Sequence, residues 1–174
     1  MATKKILIAY FSRKGNNYAG GEIVNLHIGN TAVMAKHIQE LAGGEMFQID
    51  TTKSYPDDYD ETTKIAAKEL KEQTRPALGG KFENMDSYDT VFIGYPIWWG
   101  TFPMAVFTFL EAYDFSGKTI CPFCTHEGSG LGKSIKDISK LCPKSNILEG
   151  LAVRGSNAKS SQSKVREWLD KIKI

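Results

Sequence analysis

The chain has 174 residues, 41% hydrophobic and 24% charged, with 22 basic against 20 acidic side chains for a formal net charge of +2. These are the values of one globular domain, expected over 1–174, and the mixing of basic with acidic residues along the chain argues against nucleic acid as a partner. No apolar run approaches the ~18 residues of a membrane helix, and three cysteines, an odd number, do not make a secreted disulfide framework, so a cytoplasmic protein without a membrane partner is expected.

The two lysines Lys4-Lys5 and the six apolar residues after them lack the longer apolar stretch and cleavage site of a leader, and read as a strand over 6–11 covered on both faces. An insertion follows. Gly20-Gly21 beside alternating Val24, Leu26 and Ile28 predicts a β-hairpin within 18–28, with the apolar row on the domain and His27 on the surface. Met34, Ala35, Ile38, Leu41 and Ala42 recur at helical spacing, predicting a helix over 31–42 that opens on Asn30-Thr31 and ends at Gly43-Gly44. A short strand over 46–50 and a helix over 60–73 come next.

The very apolar 90–95 predicts a central strand, and a helix over 103–113 opens on a proline. Then come a strand over 118–124, a helix over 129–141, a strand over 147–153 interrupted by Gly150, and a closing helix over 160–172. Five strands alternating with five helices predict an α/β fold: a doubly wound, five-stranded parallel sheet of order 2-1-3-4-5, with the small hairpin inserted after the first strand. Ligands of such sheets sit beyond the carboxyl ends of the strands, between strands one and three.

Three loops meet that edge. Ser12-Arg13-Lys14-Gly15-Asn16-Asn17, with Gly29-Asn30-Thr31 at the helix mouth, combines hydroxyls, glycine and asparagine in a way that suits an anion, although a plain polar loop with a helix cap has the same composition. Pro96-Ile97-Trp98-Trp99-Gly100 puts two adjacent tryptophans in a loop stiffened by proline; they either stack on a planar aromatic ligand or plug the sheet end. Thr125-His126-Glu127-Gly128 is followed by further glycines whose amides can approach a ligand edge.

Other readings of the third loop fail on spacing. A P-loop needs glycine where Glu127 stands, and a hydrolase elbow needs Gly-x-Ser-x-Gly, which Gly128-Ser129-Gly130 lacks. Cys121-Pro122-Phe123-Cys124 has redox-pair spacing, but within a strand the two thiols fall on opposite faces, so buried structural cysteines are expected. Pro122 inside a strand has no explanation in the sequence alone.

Taken together, Tyr10-Phe11-Ser12-x-x-Gly15-Asn16 with Gly29-Asn30-Thr31, Pro-Ile-Trp-Trp-Gly and Thr-His-Glu-Gly resemble, in order and over nearly the whole chain, the three FMN-binding loops of the flavodoxin family. The resemblance implies FMN as cofactor. It assigns Ser12, Lys14, Asn17, Thr31 and Ala32 to the phosphate, with Asn16, Asn17 and Asn30 as alternative donors because the insertion interrupts the loop. Pro96, Ile97, Trp98, Trp99 and Gly100 would line the isoalloxazine, with a backbone group near Gly100 reaching the flavin N5, and Thr125, His126, Glu127 and Gly128 would close the other edge. It further implies an electron carrier, expected to be a monomer, between redox partner proteins. The alternative is an oxidoreductase taking hydride from NAD(P)H to reduce small quinone, azo or nitro compounds. The slightly basic charge departs from the acidic surface usual in flavodoxins that serve cationic partners.

Overall fold

The computed structural model describes residues 3–174. In chain order the elements are β1 (Ile6–Tyr10), the hairpin strands β2 (Gly15–Ala19) and β3 (Glu22–Leu26), α1 (Asn30–Ala42), β4 (Glu45–Gln48), α2 (Tyr59–Glu72), β5 (Thr90–Pro96) and α3 (Met104–Ala112). They continue with β6 (Thr119–His126), α4 (Ser134–Leu141), β7 (Asn146–Ile147), β8 (Leu151–Arg154) and α5 (Gln162–Ile172). The main sheet runs β4-β1-β5-β6, all parallel, and its last place is shared by β7 and β8, both paired with β6. With the hairpin set aside, this is the expected 2-1-3-4-5 order.

The strands are apolar throughout because both faces are covered. Leu7 and Ala9 of β1 join Val91, Ile93 and Tyr95 of β5 in the layer under α3 and α4. Ile8 and Tyr10 alternate to the other face and pack with Phe92, Met34, Ile38, Val165 and Trp168 under α1 and α5. Side chains such as Leu7, Ile8, Phe92 and Ile93 are fully buried, and each is worth roughly 1.5–3 kcal/mol of transfer free energy. The two thiols of the Cys-x-x-Cys spacing follow the same alternation: Cys121 lies in one layer and Cys124 in the other. Burial pushes both up to about 12, so they remain protonated thiols.

Most boundaries shift by a residue or two, and β6 runs on to His126, so Thr125 and His126 sit on the strand rather than in the loop after it; four features differ more. The hairpin starts earlier, at Gly15, so its first strand pairs Gly15 to Ala19 with Glu22 to Leu26, around the expected Gly20-Gly21 turn. Val24 and Leu26 are half-buried, but Ile28 lies past the strand and is 62% exposed, so it does not join the apolar row. α4 begins at Ser134 rather than 129, because Gly130 and Gly132 take left-handed φ of 62° and 53° and cannot continue a helix. α5 begins at Gln162, since residues Gly155–Ser160 form a 3₁₀ helix.

The fifth strand is split rather than merely interrupted. The register steps from Ile120↔Ile147 to Phe123↔Leu151, so one extra residue is accommodated in the break. This accounts for Pro122. The N–H of Leu148 donates to the carbonyl of Ile120, and the N–H of Ile97 donates to that of Thr125, so the even-numbered residues of β6 turn their backbone groups toward β7 and β8. The donor that Pro122 lacks therefore falls opposite the break, where no ladder bond is lost.

Close packing in the central strands sets a stability test. A methyl group on Gly94 of β5 would overlap the ring of Phe123 on β6. Gly94→Ala is expected to destabilise the protein by about 2 kcal/mol or more, read as a lower denaturant midpoint. Adding Phe123→Leu should recover part of the loss. Equal midpoints for Gly94→Ala and the parent would contradict this packing.

Candidate functional site

The carboxyl ends of β1, β5 and β6 open into a cavity of about 360 Å³, within the size range of small-molecule sites. Its floor is built by the start of α1. Gly29 packs so closely on the loop after β1 that a methyl group there would overlap Ser12 Oγ and lie 2.7 Å from the Arg13 carbonyl. That approach lets Ser12 Oγ accept from the Ala32 N–H at 3.0 Å, while the Val33 N–H donates to the Gly29 carbonyl at 3.1 Å. In the first turn of α1 the N–H groups of Asn30 and Thr31 have no hydrogen-bond partner among the described residues. The buried hydroxyls of Thr31 and Thr125 share one hydrogen bond at 2.8 Å. Two hydroxyls carry two protons and this bond uses one, so the second is available to an acceptor in the cavity.

One wall comes from α2 and the hairpin. Tyr59, Thr62, Thr63 and Ala66 face the cavity at i, i+3, i+4 and i+7 of α2. Tyr18 of β2 meets Tyr59 with ring centroids 6.2 Å apart. Arg13 ties this wall to the floor: its guanidinium donates to the carbonyls of Asn16, Pro56 and Asp57. Asn17 spends its side-chain N–H groups on the carbonyls of Arg13 and Gly15, at 2.9 and 3.1 Å.

The opposite wall is the loop after β6. Glu127 Oε2 accepts from the Gly20 N–H at the hairpin turn, at 3.2 Å, while Glu127 Oε1 is buried without a partner among the described residues. The backbone of Gly155 completes this wall, and a methyl group there would come within 2.5 Å of Asn30 Nδ2 and 2.8 Å of Glu127 Oε1. His126 Nδ1 accepts from the Gly128 N–H at 2.9 Å, which places the neutral ring's proton on Nε2.

The two tryptophans divide the two roles their sequence left open. Trp98 packs edge-on against Phe11 and Tyr55, each with centroids 5.2 Å apart, and closes the sheet end while still lining the cavity. Trp99 stands at the mouth, 59% exposed, its indole N–H donating to the Thr63 carbonyl at 2.9 Å. Trp98 and Thr101 exchange backbone hydrogen bonds around a two-residue turn with φ of 55° at Trp99 and 85° at Gly100. Such a turn ordinarily takes Asn-Gly, and a bulky residue at left-handed φ is strained. The Gly100 carbonyl is already engaged by the Lys133 N–H at 2.7 Å. The peptide between Trp99 and Gly100 makes no hydrogen bond among the described residues.

Of the residues expected at the site, Ser12, Asn17, Asn30, Thr31, Pro96, Ile97, Trp98, Trp99, Thr125, His126 and Glu127 line the cavity. Lys14, Ala32, Gly100 and Gly128 do not. Lys14 and Gly128 are exposed, Ala32 contributes its N–H to Ser12, and Gly100 turns its carbonyl to Lys133. Arg13, Tyr18, Gly155 and the α2 face were not anticipated. The small and polar stripe at 59, 62, 63 and 66 was visible as a periodicity; the part played by Gly155 depends on a contact across the fold.

Burial, reinforced by the cations of Arg154 and Lys164, holds the His126 imidazole below the usual histidine range. The folded protein thus takes up this proton less readily than the unfolded chain. The cost of protonation is absent above the unfolded value near ~6.5 and grows as pH falls through it. Protonation also removes the acceptor for Gly128. Stability should therefore drop between pH 7.5 and 5.5, with a shallower drop in His126→Gln, measured by denaturant titration; parallel profiles would show that His126 is not the group responsible.

A flavodoxin family profile matches residues 5–172. A protein from Bacteroides eggerthii DSM 20697 assigned as a flavoprotein is 33% identical over 99% of both chains, with a TM-score of 0.78. Another so assigned, from Bacteroides uniformis ATCC 8492, is 30% identical over 95% of this chain and 99% of that one, with a TM-score of 0.74. A flavoprotein from Lactobacillus acidophilus NCFM, solved in complex with FMN, has a TM-score of 0.67 at 22% identity over 95% of this chain and 99% of that one, and shares the fold. No curated protein matches the chain. With the profile covering almost every residue and the three loops converging on one cavity, the chain belongs to the flavodoxin family.

Proposed function

We propose that the protein binds FMN in this cavity and carries electrons between redox partner proteins. The observation that carries the reading is the Trp99-Gly100 turn: a strained backbone that holds an indole face at the mouth of a cavity whose floor offers unpaired donors. Each part of FMN finds a complementary group. The free N–H groups of Asn30 and Thr31, the spare Thr31/Thr125 hydroxyl proton and the Asn30 side chain suit the phosphate. Trp99 and Tyr59 present flat faces to the ring. Glu127 Oε1, buried without a donor, suits a ribityl hydroxyl or the ring imide, because an unmet buried carboxylate oxygen is costly.

Bound FMN would supply reversible electron transfer. The chain's contribution is position and access. Arg13 joins the loop after β1 to α2, and Glu127 joins the loop after β6 to the hairpin, so the insertion shields one side of the cavity from water. Tyr18, Tyr59 and Trp99 bound a mouth at the surface, which is what electron exchange with another protein requires. The unbonded Trp99–Gly100 peptide is the backbone group free to meet the ring edge.

The test begins with the purified protein. It should be yellow and hold FMN, and anaerobic NAD(P)H should bleach it slowly while a reductase protein bleaches it fast. Fast bleaching by NAD(P)H alone would replace the carrier by an oxidoreductase acting on small quinone, azo or nitro compounds. A second test separates strain from binding. Trp99→Asn should weaken FMN binding by roughly tenfold or more, as loss of an aromatic stack does, measured by fluorescence quenching. The FMN-free variant should be no less stable than the parent, because relief of the strained φ offsets the lost bond to Thr63.

A further inference from the structure

Beside the cofactor cavity lies a second, open groove of about 470 Å³ between the loop after β6, the end of β8 and α5. His126 lines both depressions. The groove also presents Arg154 and Lys164, with Asn157 and Ser160 between them, and no acidic side chain lines it. Arg154 reaches only the Glu127 carbonyl, at 3.4 Å, and Lys164 only the Ala152 carbonyl, at 3.2 Å. The ion pairs among the described residues are Arg75–Glu111 and Lys171–Glu149, both elsewhere. Two cations thus stand without an ion-pair partner among the described residues, next to the cofactor cavity, in a chain whose net charge is only +2. Like charges kept together without ion-pair partners set up a local positive field.

We propose that this groove is the docking surface for an acidic redox protein, whose carboxylates meet Arg154 and Lys164 and place its electron-carrying centre beside the cavity wall at His126. The inference rests on the FMN-binding reading above. A protein fits better than a free phosphate compound. The two cations sit on long exposed side chains on separate elements, an arrangement that matches a spread of carboxylates rather than one compact anion. With FMN bound, each productive encounter would move one electron from the partner's reduced centre to the flavin, and a second encounter, with protons from solvent, would complete a two-electron reduction.

The experiment uses FMN-loaded protein and a reduced plant-type [2Fe–2S] ferredoxin, an acidic donor, in stopped flow. The second-order rate of flavin reduction should fall as salt rises from low to physiological ionic strength, and Lys164→Glu with Arg154→Gln should slow it by roughly three- to tenfold at low salt. Oxidation of the reduced protein by cytochrome c, a basic acceptor, should not be slowed by the same substitutions. Lys164→Glu alone, outside the cofactor cavity, guards against a folding defect, and its FMN content is measured first. A protein that never holds FMN defeats the functional reading. A variant that keeps FMN and reacts with ferredoxin at the parental rate, at every salt concentration, overturns this inference alone. So does saturable binding of free NADP⁺ that Lys164→Glu abolishes, because the groove would then serve a dinucleotide rather than a protein.

Discussion

The site depends on one close approach. Gly29 brings the start of α1 against the loop after β1 with no room for a side chain, and Ser12 fixes the distance through its bond to the Ala32 N–H. A side-chain cap of this kind is worth about 1 kcal/mol, but its structural effect is larger. It points the remaining N–H groups of α1 and the Thr31 hydroxyl at the open end of the sheet, where β1 and β5 part company with their helices on opposite faces. An anion-binding floor follows without a single basic side chain being required.

The hairpin inserted after β1 is built into this arrangement at both ends. Arg13 grips the segment before α2 through backbone carbonyls, and Glu127 holds the hairpin turn from across the cavity. These contacts join elements far apart in the chain, so the cavity walls become one connected shell. Half of the Glu127 carboxylate is satisfied by that shell and half is left for whatever enters.

The loop after β5 shows how neighbouring identical residues come to different ends. Trp98, past the end of β5 and out of step with its alternation, is absorbed into the aromatic cluster with Phe11 and Tyr55. Trp99 occupies the first corner of a tight turn, where φ is positive and the side chain is thrown outward. Thr101 and Lys133 anchor the turn to α4, through Asp137 and the Gly100 carbonyl. The strain is thus held by contacts on both sides.

The sequence by itself determined the strand and helix order, the parallel sheet and its order, the hairpin turn at Gly20-Gly21 and the three loops of the site, because these follow from hydrophobic period, glycine placement and the rule that consecutive βα units wind one way. It also separated Cys121 from Cys124, since a strand's side chains must alternate. Tertiary structure alone decided the rest. Pro122 has meaning only once the break between β7 and β8 is seen opposite it. Lys14 points to solvent because the hairpin begins one residue later, and Arg13 takes the inward place. Gly155 and the orphaned Glu127 oxygen meet across 28 residues of chain, and the two cations of the groove lie beside His126 only because β8 pairs with β6. Local pattern specifies elements; which polar groups are left unpaired at an edge is a property of how those elements close on one another.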